Sequence, residues 1–140
     1  NKNRSVNLNL ALLKIKTQFK LHQVSKKYKF DCIRNQNNPQ YLNQIVIISS
    51  EYSSEKVNIK LKEIENGLGK VKTKAQCTID IDLVFILKKN NEISVFNDKT
   101  STFIPHIIVP CAELIPNKIH PEKKQEFLEL KNQLKELTLC

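Results

Sequence analysis

The sequence predicts a mainly β (α+β) protein, with six or seven short antiparallel strands in a small barrel or sandwich and one capping helix at the C-terminus. Three observations carry this. Most of the chain alternates apolar and polar residues with period two. Asn, Pro and Gly fall between the alternating runs. The period lengthens only at the end, where Phe127, Leu130, Leu134 and Leu137 recur at helical spacing. A chain of 140 residues holds one domain's core, so residues 1–117 are expected to form the β core and residues 118–140 a helix packed on it.

From Leu13 to His22 the alternation is clean: Leu13, Ile15, Thr17, Phe19 and Leu21 share one face, and Lys14, Lys16, Gln18, Lys20 and His22 the other. Leu8, Leu10 and Leu12 alternate in the opposite phase, which suggests a bulge in one long bent strand. The rival is a helix over Val6–Phe19, which would scatter the lysines. After a connection at Gln23–Lys26, the alternation of Tyr28, Phe30 and Cys32 with Lys27, Lys29 and Asp31 predicts the return strand of a hairpin. Asn35–Asn43 is expected to be a loop, Ile45–Ile48 a short buried strand, and Val57, Ile59 and Leu61 the inward face of another.

The strongest predicted strand is Ala75–Lys89, with Cys77, Ile79, Ile81, Leu83, Phe85 and Leu87 on one face. Its other face begins polar at Thr78, Asp80 and Asp82 and becomes apolar at Val84 and Ile86. Asn90-Asn91 suits a tight turn into Ile93–Phe96, and Phe103–Val109, flanked by Pro105 and Pro110, suits an edge strand. Pro121 fits the first position of the terminal helix. In outline this element order resembles the OB barrel, and less closely the pleckstrin-homology module, whose C-terminal helix ordinarily carries a Trp absent here. The OB resemblance implies a subunit of a single-strand-binding or ribonucleoprotein assembly; it is one of architecture alone.

The net charge of +9 is uneven. Residues 1–34 hold nine basic side chains against one acid, Asp31, whereas residues 35–117 hold nine of each sign. Lys outnumbers Arg 21 to 2 and Asn reaches 15, the signature of an AT-rich genome. Such a bias supplies Lys but does not strip acids from one segment, so the basic start is the main functional hint. On a hairpin, Lys14, Lys16, Lys20, Lys27 and Lys29, with Arg34 at its end, would present one phosphate-binding surface.

Other chemistry is weaker. Asp80-x-Asp82 sets two carboxylates on one face of a strand, a spacing that holds Mg²⁺ in phosphoryl-transfer and nuclease sites. No Glu-x-Lys occurs on the next strand, so solvated carboxylates paired with neighbouring lysines are the simpler account. His22, His106 and His120 are scattered, His106 and Cys111 lack the companions of a zinc site, and Gly67-x-Gly69 lacks the remainder of a phosphate loop. Cys32, Cys77, Cys111 and Cys140 lie too far apart for a disulfide scaffold, which suggests a reducing intracellular compartment, nuclear or mitochondrial. The opening residue is Asn rather than Met, and the acid-poor start suits a segment next to an organellar import signal, without the usual Arg and Ser.

The expected function is therefore a non-catalytic OB-like subunit, with no catalytic residue, metal or cofactor, that contacts RNA or single-stranded DNA through Lys14, Lys16, Lys20, Lys27, Lys29 and Arg34. Phe127, Leu130, Leu134 and Leu137 are the candidates for contact with other protein subunits, and no run is long enough to span a bilayer. The alternatives are a structural or adaptor subunit of a protein or membrane-associated complex, and a pleckstrin-like module docking an acidic partner or anionic lipid.

Overall fold

A helix forms where the first bent strand is expected. The computed structural model describes residues 2–30, 41–68, 79–90, 92–96 and 102–137. In chain order its elements are α1 (Lys2–Gln18), β1 (Lys20–Val24), β2 (Tyr28–Phe30), β3 (Tyr41–Asn43), β4 (Val46–Ser49), α2 (Ser54–Gly67), β5 (Phe85–Leu87), β6 (Ile93–Val95), α3 (Pro105–Leu114) and α4 (Phe127–Leu137). Close contacts divide the chain into two compact units, residues 1–23 with 46–83, and residues 24–45 with 84–140.

In the first unit, Ala11, Ile15 and Phe19 are buried at a spacing of four, while Leu13 between them is 59% exposed. A spacing of four is a multiple of two, so one stripe of a helix imitates one face of a strand. Only the intermediate positions separate the two readings. Local propensity agrees with the helix, since Leu, Ala and Lys dominate Ala11–Lys16. The same ambiguity recurs in α2, where Val57, Leu61 and Glu65 are buried and Ile59 is 57% exposed. Ser53 caps α2, its hydroxyl accepting the Lys56 N–H at 3.2 Å. The core of this unit is Ile15, Phe19, Val57 and Leu61, joined by Val46 and Ile48 of β4, Ile64 of α2, and Ile81 and Leu83 of an extended segment. Strands β1 and β4 pair with each other.

In the second unit, β2 pairs antiparallel with β3, placing Lys29 opposite Leu42. Strands β5 and β6 pair antiparallel, with Ile86 opposite Ser94; Asn90 stands in a turn, and Asn91 of the expected Asn90-Asn91 turn lies outside the described residues. The predicted edge strand Phe103–Val109 is instead the start of α3. Pro105 occupies its first turn and Ile104 before it is extended, as a residue preceding proline prefers. Helix α3 buries Ile107, Ile108, Cys111 and Ala112 against Phe127, Leu130 and Leu134 of α4. The C-terminal helix is present but starts later than Pro121. Residues Pro121–Lys123 form a turn, and Lys124 comes next in the left-handed region at φ 59°.

The fold is thus α+β and not a barrel. Among the described residues the strands form three separate two-stranded sheets, none closed, because three of the expected strand segments are helical. The expected hairpin of Leu13–His22 with Lys27–Arg34 does not form: its first half is mostly α1, β1 pairs with β4, and β2 pairs with β3. No helix among the described residues is long and apolar enough to cross a membrane.

Candidate functional site

The six basic residues expected to share a surface do not share an element. Lys14 and Lys16 are exposed on α1 and Lys20 opens β1, all in the first unit. Lys27 and Lys29 belong to the second unit, and Arg34 lies outside the described residues. Lys16 and Lys20 border an open hollow of about 410 Å³ with Ser49 and Tyr52. The ammonium groups of Lys56 and Lys60 stand 5.6 and 4.8 Å from the Tyr52 ring centroid. Phe127, Leu130 and Leu134 are buried in the core of their own unit, and the side chain of Leu137 lies outside the described residues.

The scattered nucleophiles and histidines stay apart in role. His22 hydrogen-bonds Ser49 Oγ at 2.8 Å, His106 is exposed on α3, and His120 is fully buried. Cys111 is buried, and burial pushes its thiol up to about 12, which keeps it protonated and inert. Cys32, Cys77, Cys140 and Gly69 lie outside the described residues.

The residues that do converge surround Asp80-x-Asp82. The segment Ile79–Leu83 runs extended along the first unit, turning Ile79, Ile81 and Leu83 into the core and leaving Asp80 and Asp82 exposed. Helix α2 holds this segment through two side chains one turn apart. Glu65, only 2% exposed, accepts the Ile81 N–H at 2.8 Å. Lys62 donates to the Ile81 carbonyl at 2.8 Å, to Asp82 Oδ1 at 3.1 Å and to Glu65 Oε1 at 3.4 Å. Partial burial opposes the Lys62 charge, but Asp82 and Glu65 outweigh it and hold its pKa above the ordinary value.

Two carboxylates on one solvent-facing side fit a hard divalent cation. Magnesium commonly takes one or two carboxylates, keeps several waters and completes its shell with substrate phosphates. They do not fit a closed protein cage: among the described residues no three His, Cys, Asp or Glu side chains gather into one.

By geometry alone the pair reads equally as a solvated salt pair or as part of a phosphoryl-transfer site. The model of 7,8-dihydro-6-hydroxymethylpterin-pyrophosphokinase matches residues 1–117. The chain belongs to that family. Among individually curated proteins, none matches the chain. Pyrophosphokinases are enzymes acting on small molecules, so membership in the family overturns the expected non-catalytic OB-like subunit and its RNA or single-stranded DNA partner. The fold of the family, ferredoxin-like α+β, likewise replaces the six- or seven-stranded barrel.

Asp80 and Asp82 are visible in the sequence as a spacing suited to Mg²⁺, where pairing with a neighbouring lysine is the simpler account. The lysine is there, and it is Lys62. Lys62 and Glu65 themselves carry no signal, because Val57–Lys62 reads as a strand and Glu65 as the start of the turn after it.

Proposed function

We propose that this chain transfers pyrophosphate from ATP to the hydroxymethyl group of a dihydropterin, with Asp80 and Asp82 holding the divalent cation that accompanies the nucleotide. The family match, which spans both aspartates, supports this reading. In this reaction the hydroxymethyl oxygen forms a bond to the β-phosphorus and the bond from that phosphorus to the α,β-bridging oxygen breaks. AMP leaves and the hydroxyl proton is released. A cation held at Asp80 and Asp82 would supply charge neutralisation of the phosphate oxygens and alignment of donor and acceptor.

The chain's own contribution is to present two carboxylates on a water-exposed ledge. The ledge is backed by the core residues Ile79, Ile81 and Leu83 and tied to α2 through Lys62 and Glu65. The Lys62 ammonium, 3.1 Å from Asp82, limits the negative charge of the ledge before substrate arrives.

The test is AMP release from ATP by the purified chain, with 6-hydroxymethyl-7,8-dihydropterin and Mg²⁺. Release above the protein-free blank is expected, with a fall of about 100-fold or more in kcat for Asp80→Asn or Asp82→Asn, the size of a loss of several kcal/mol in charge stabilisation. Pterin-dependent AMP release that is absent, or unchanged in both variants, would sink the proposal.

A further inference from the structure

We infer that Glu65 is a positioning residue for the cation-binding aspartates: it anchors the Ile81 peptide from inside α2 and so fixes where Asp80 and Asp82 stand. The inference rests on the reading of those aspartates as the cation site. Ile81 is the residue between them, and both of its backbone polar groups end on α2 side chains. Its N–H goes to Glu65 at 2.8 Å and its carbonyl to Lys62 at 2.8 Å.

Residues 79–83 belong to no strand, so these side-chain bonds do for the segment what a ladder partner does elsewhere. The anchor is a carboxylate kept in an apolar setting. Leu61 and Ile64 beside it pack in the core, where a Leu or Met at position 65 would fill the same space without a desolvation cost. What the carboxylate does that an apolar side chain cannot is accept the Ile81 N–H and draw in Lys62, which continues to Asp82 at 3.1 Å. One chain of contacts therefore runs from a buried helix position to an exposed ligand. Mg²⁺ and Mn²⁺ accept little error in ligand placement, and a ledge shifted by even about half an ångström binds them poorly.

The experiment measures Mn²⁺ binding by the electron paramagnetic resonance of free Mn²⁺, on the full chain with an α,β-methylene ATP analogue. Such an analogue cannot donate its pyrophosphate, so the readout is independent of turnover. Glu65→Gln keeps an oxygen that accepts the Ile81 N–H and is expected to bind Mn²⁺ within about 3-fold of the parent. Glu65→Met and Glu65→Leu keep the volume but lose the acceptor, and are expected to bind at least 10-fold more weakly while retaining a cooperative melt.

Asp80→Asn and Asp82→Asn run in parallel. If these bind Mn²⁺ like the parent, the reading of the cation site itself has failed. If they lose Mn²⁺ while folded Glu65→Met or Glu65→Leu binds it normally, only the positioning role is overturned. It is also overturned if both apolar variants fail to fold while Glu65→Gln folds, because Glu65 would then serve stability alone.

Discussion

Among the described residues, the first unit buries Glu65 and the second buries His120, and the two are satisfied in opposite ways. Glu65 has a cation and a backbone N–H as partners, and its contacts lead outward to the exposed Asp82. His120 is sealed. Its ring centroid lies 5.8 Å from that of Phe85 and 5.5 Å from that of Phe127. Its Nδ1 accepts the N–H groups of Glu122 and Lys123 at 3.1 Å each, and Nε2 donates to the Thr102 carbonyl at 3.3 Å. The partners of Glu65 lead outward, whereas those of His120 tie its own turn to Thr102.

The largest expected effect comes from removing the wall around His120. Phe127 is fully buried, so Phe127→Ala is expected to cost about 3–5 kcal/mol of unfolding free energy, read by urea denaturation. Phe127 lies beyond the matched span 1–117, so a loss below about 1 kcal/mol would show that the span folds without α4.

His120 itself predicts a pH dependence. Burial is the largest influence and holds its pKa below the ordinary value, with Lys123 acting in the same direction and the Thr102 carbonyl and Glu122 against it. The folded state therefore prefers the neutral ring, while the unfolded chain takes up a proton as pH drops past about 6.5. Stability from this residue is complete above that pH and falls as pH drops through it, with a slope of at most about 1.4 kcal/mol per pH unit. Urea midpoints at pH 7.5 and 5.5 should differ in the parent and converge in His120→Gln. Equal shifts in both would assign the dependence elsewhere.

The same contrast explains what is legible in the sequence. The β5–β6 pairing is readable only in part, since the strand expected over Ala75–Lys89 is a strand at Phe85–Leu87 while Ile79–Val84 carries none, and α4 is readable because Phe127, Leu130 and Leu134 keep a spacing no strand produces. Helices α1 and α2 are hidden by the coincidence of four-residue stripes with period two. The exposed Leu13 and Ile59 look like core, and lysines that the helix scatters look like one face of a hairpin. In the site, Asp80 and Asp82 are neighbours in sequence and can be seen. Glu65 and Lys62 meet them only through the packing of α2 on residues 79–83, which no local pattern encodes. The reaction cannot be read at all, since a pair of carboxylates two residues apart is common chemistry until a family restricts it.

A smaller effect comes from an exposed hydrogen bond to a carboxylate. Tyr28 of β2 donates its hydroxyl to Glu113 of α3, which also accepts the Lys26 N–H at 3.1 Å. Burial, with the nearby carboxylate adding to it, pushes the Tyr28 hydroxyl up to about 12. The Tyr28 bond draws the Glu113 carboxyl below its ordinary value, against a weaker pull from burial. Glu113 is exposed, so Tyr28→Phe is expected to cost only about 1 kcal/mol near neutral pH. The folded carboxyl ionises more readily than the unfolded one, so this contribution is present at neutral pH and lost as acid protonates Glu113. A cost that persists undiminished at pH 3 would mean that Tyr28 acts through packing instead.

The smallest effect concerns the turn that holds His120. Lys124 sits at φ 59°, and its N–H bonds the His120 carbonyl at 2.9 Å, closing the turn whose two preceding N–H groups point at the imidazole. A left-handed conformation costs a side-chain-bearing residue about 1–2 kcal/mol. Glycine removes that strain and returns about half of it as lost chain entropy. Lys124→Gly is therefore expected to stabilise the protein by about 0.5–1 kcal/mol in urea denaturation. The pH dependence assigned to His120 should stay unchanged, because the Nδ1 contacts come from Glu122 and Lys123. A variant that gained stability and also lost that dependence would show the turn strain and the buried imidazole to be one coupled device. Independence of the two would place His120 wholly within the architecture, leaving Glu65 as the buried group whose contacts reach the proposed chemistry.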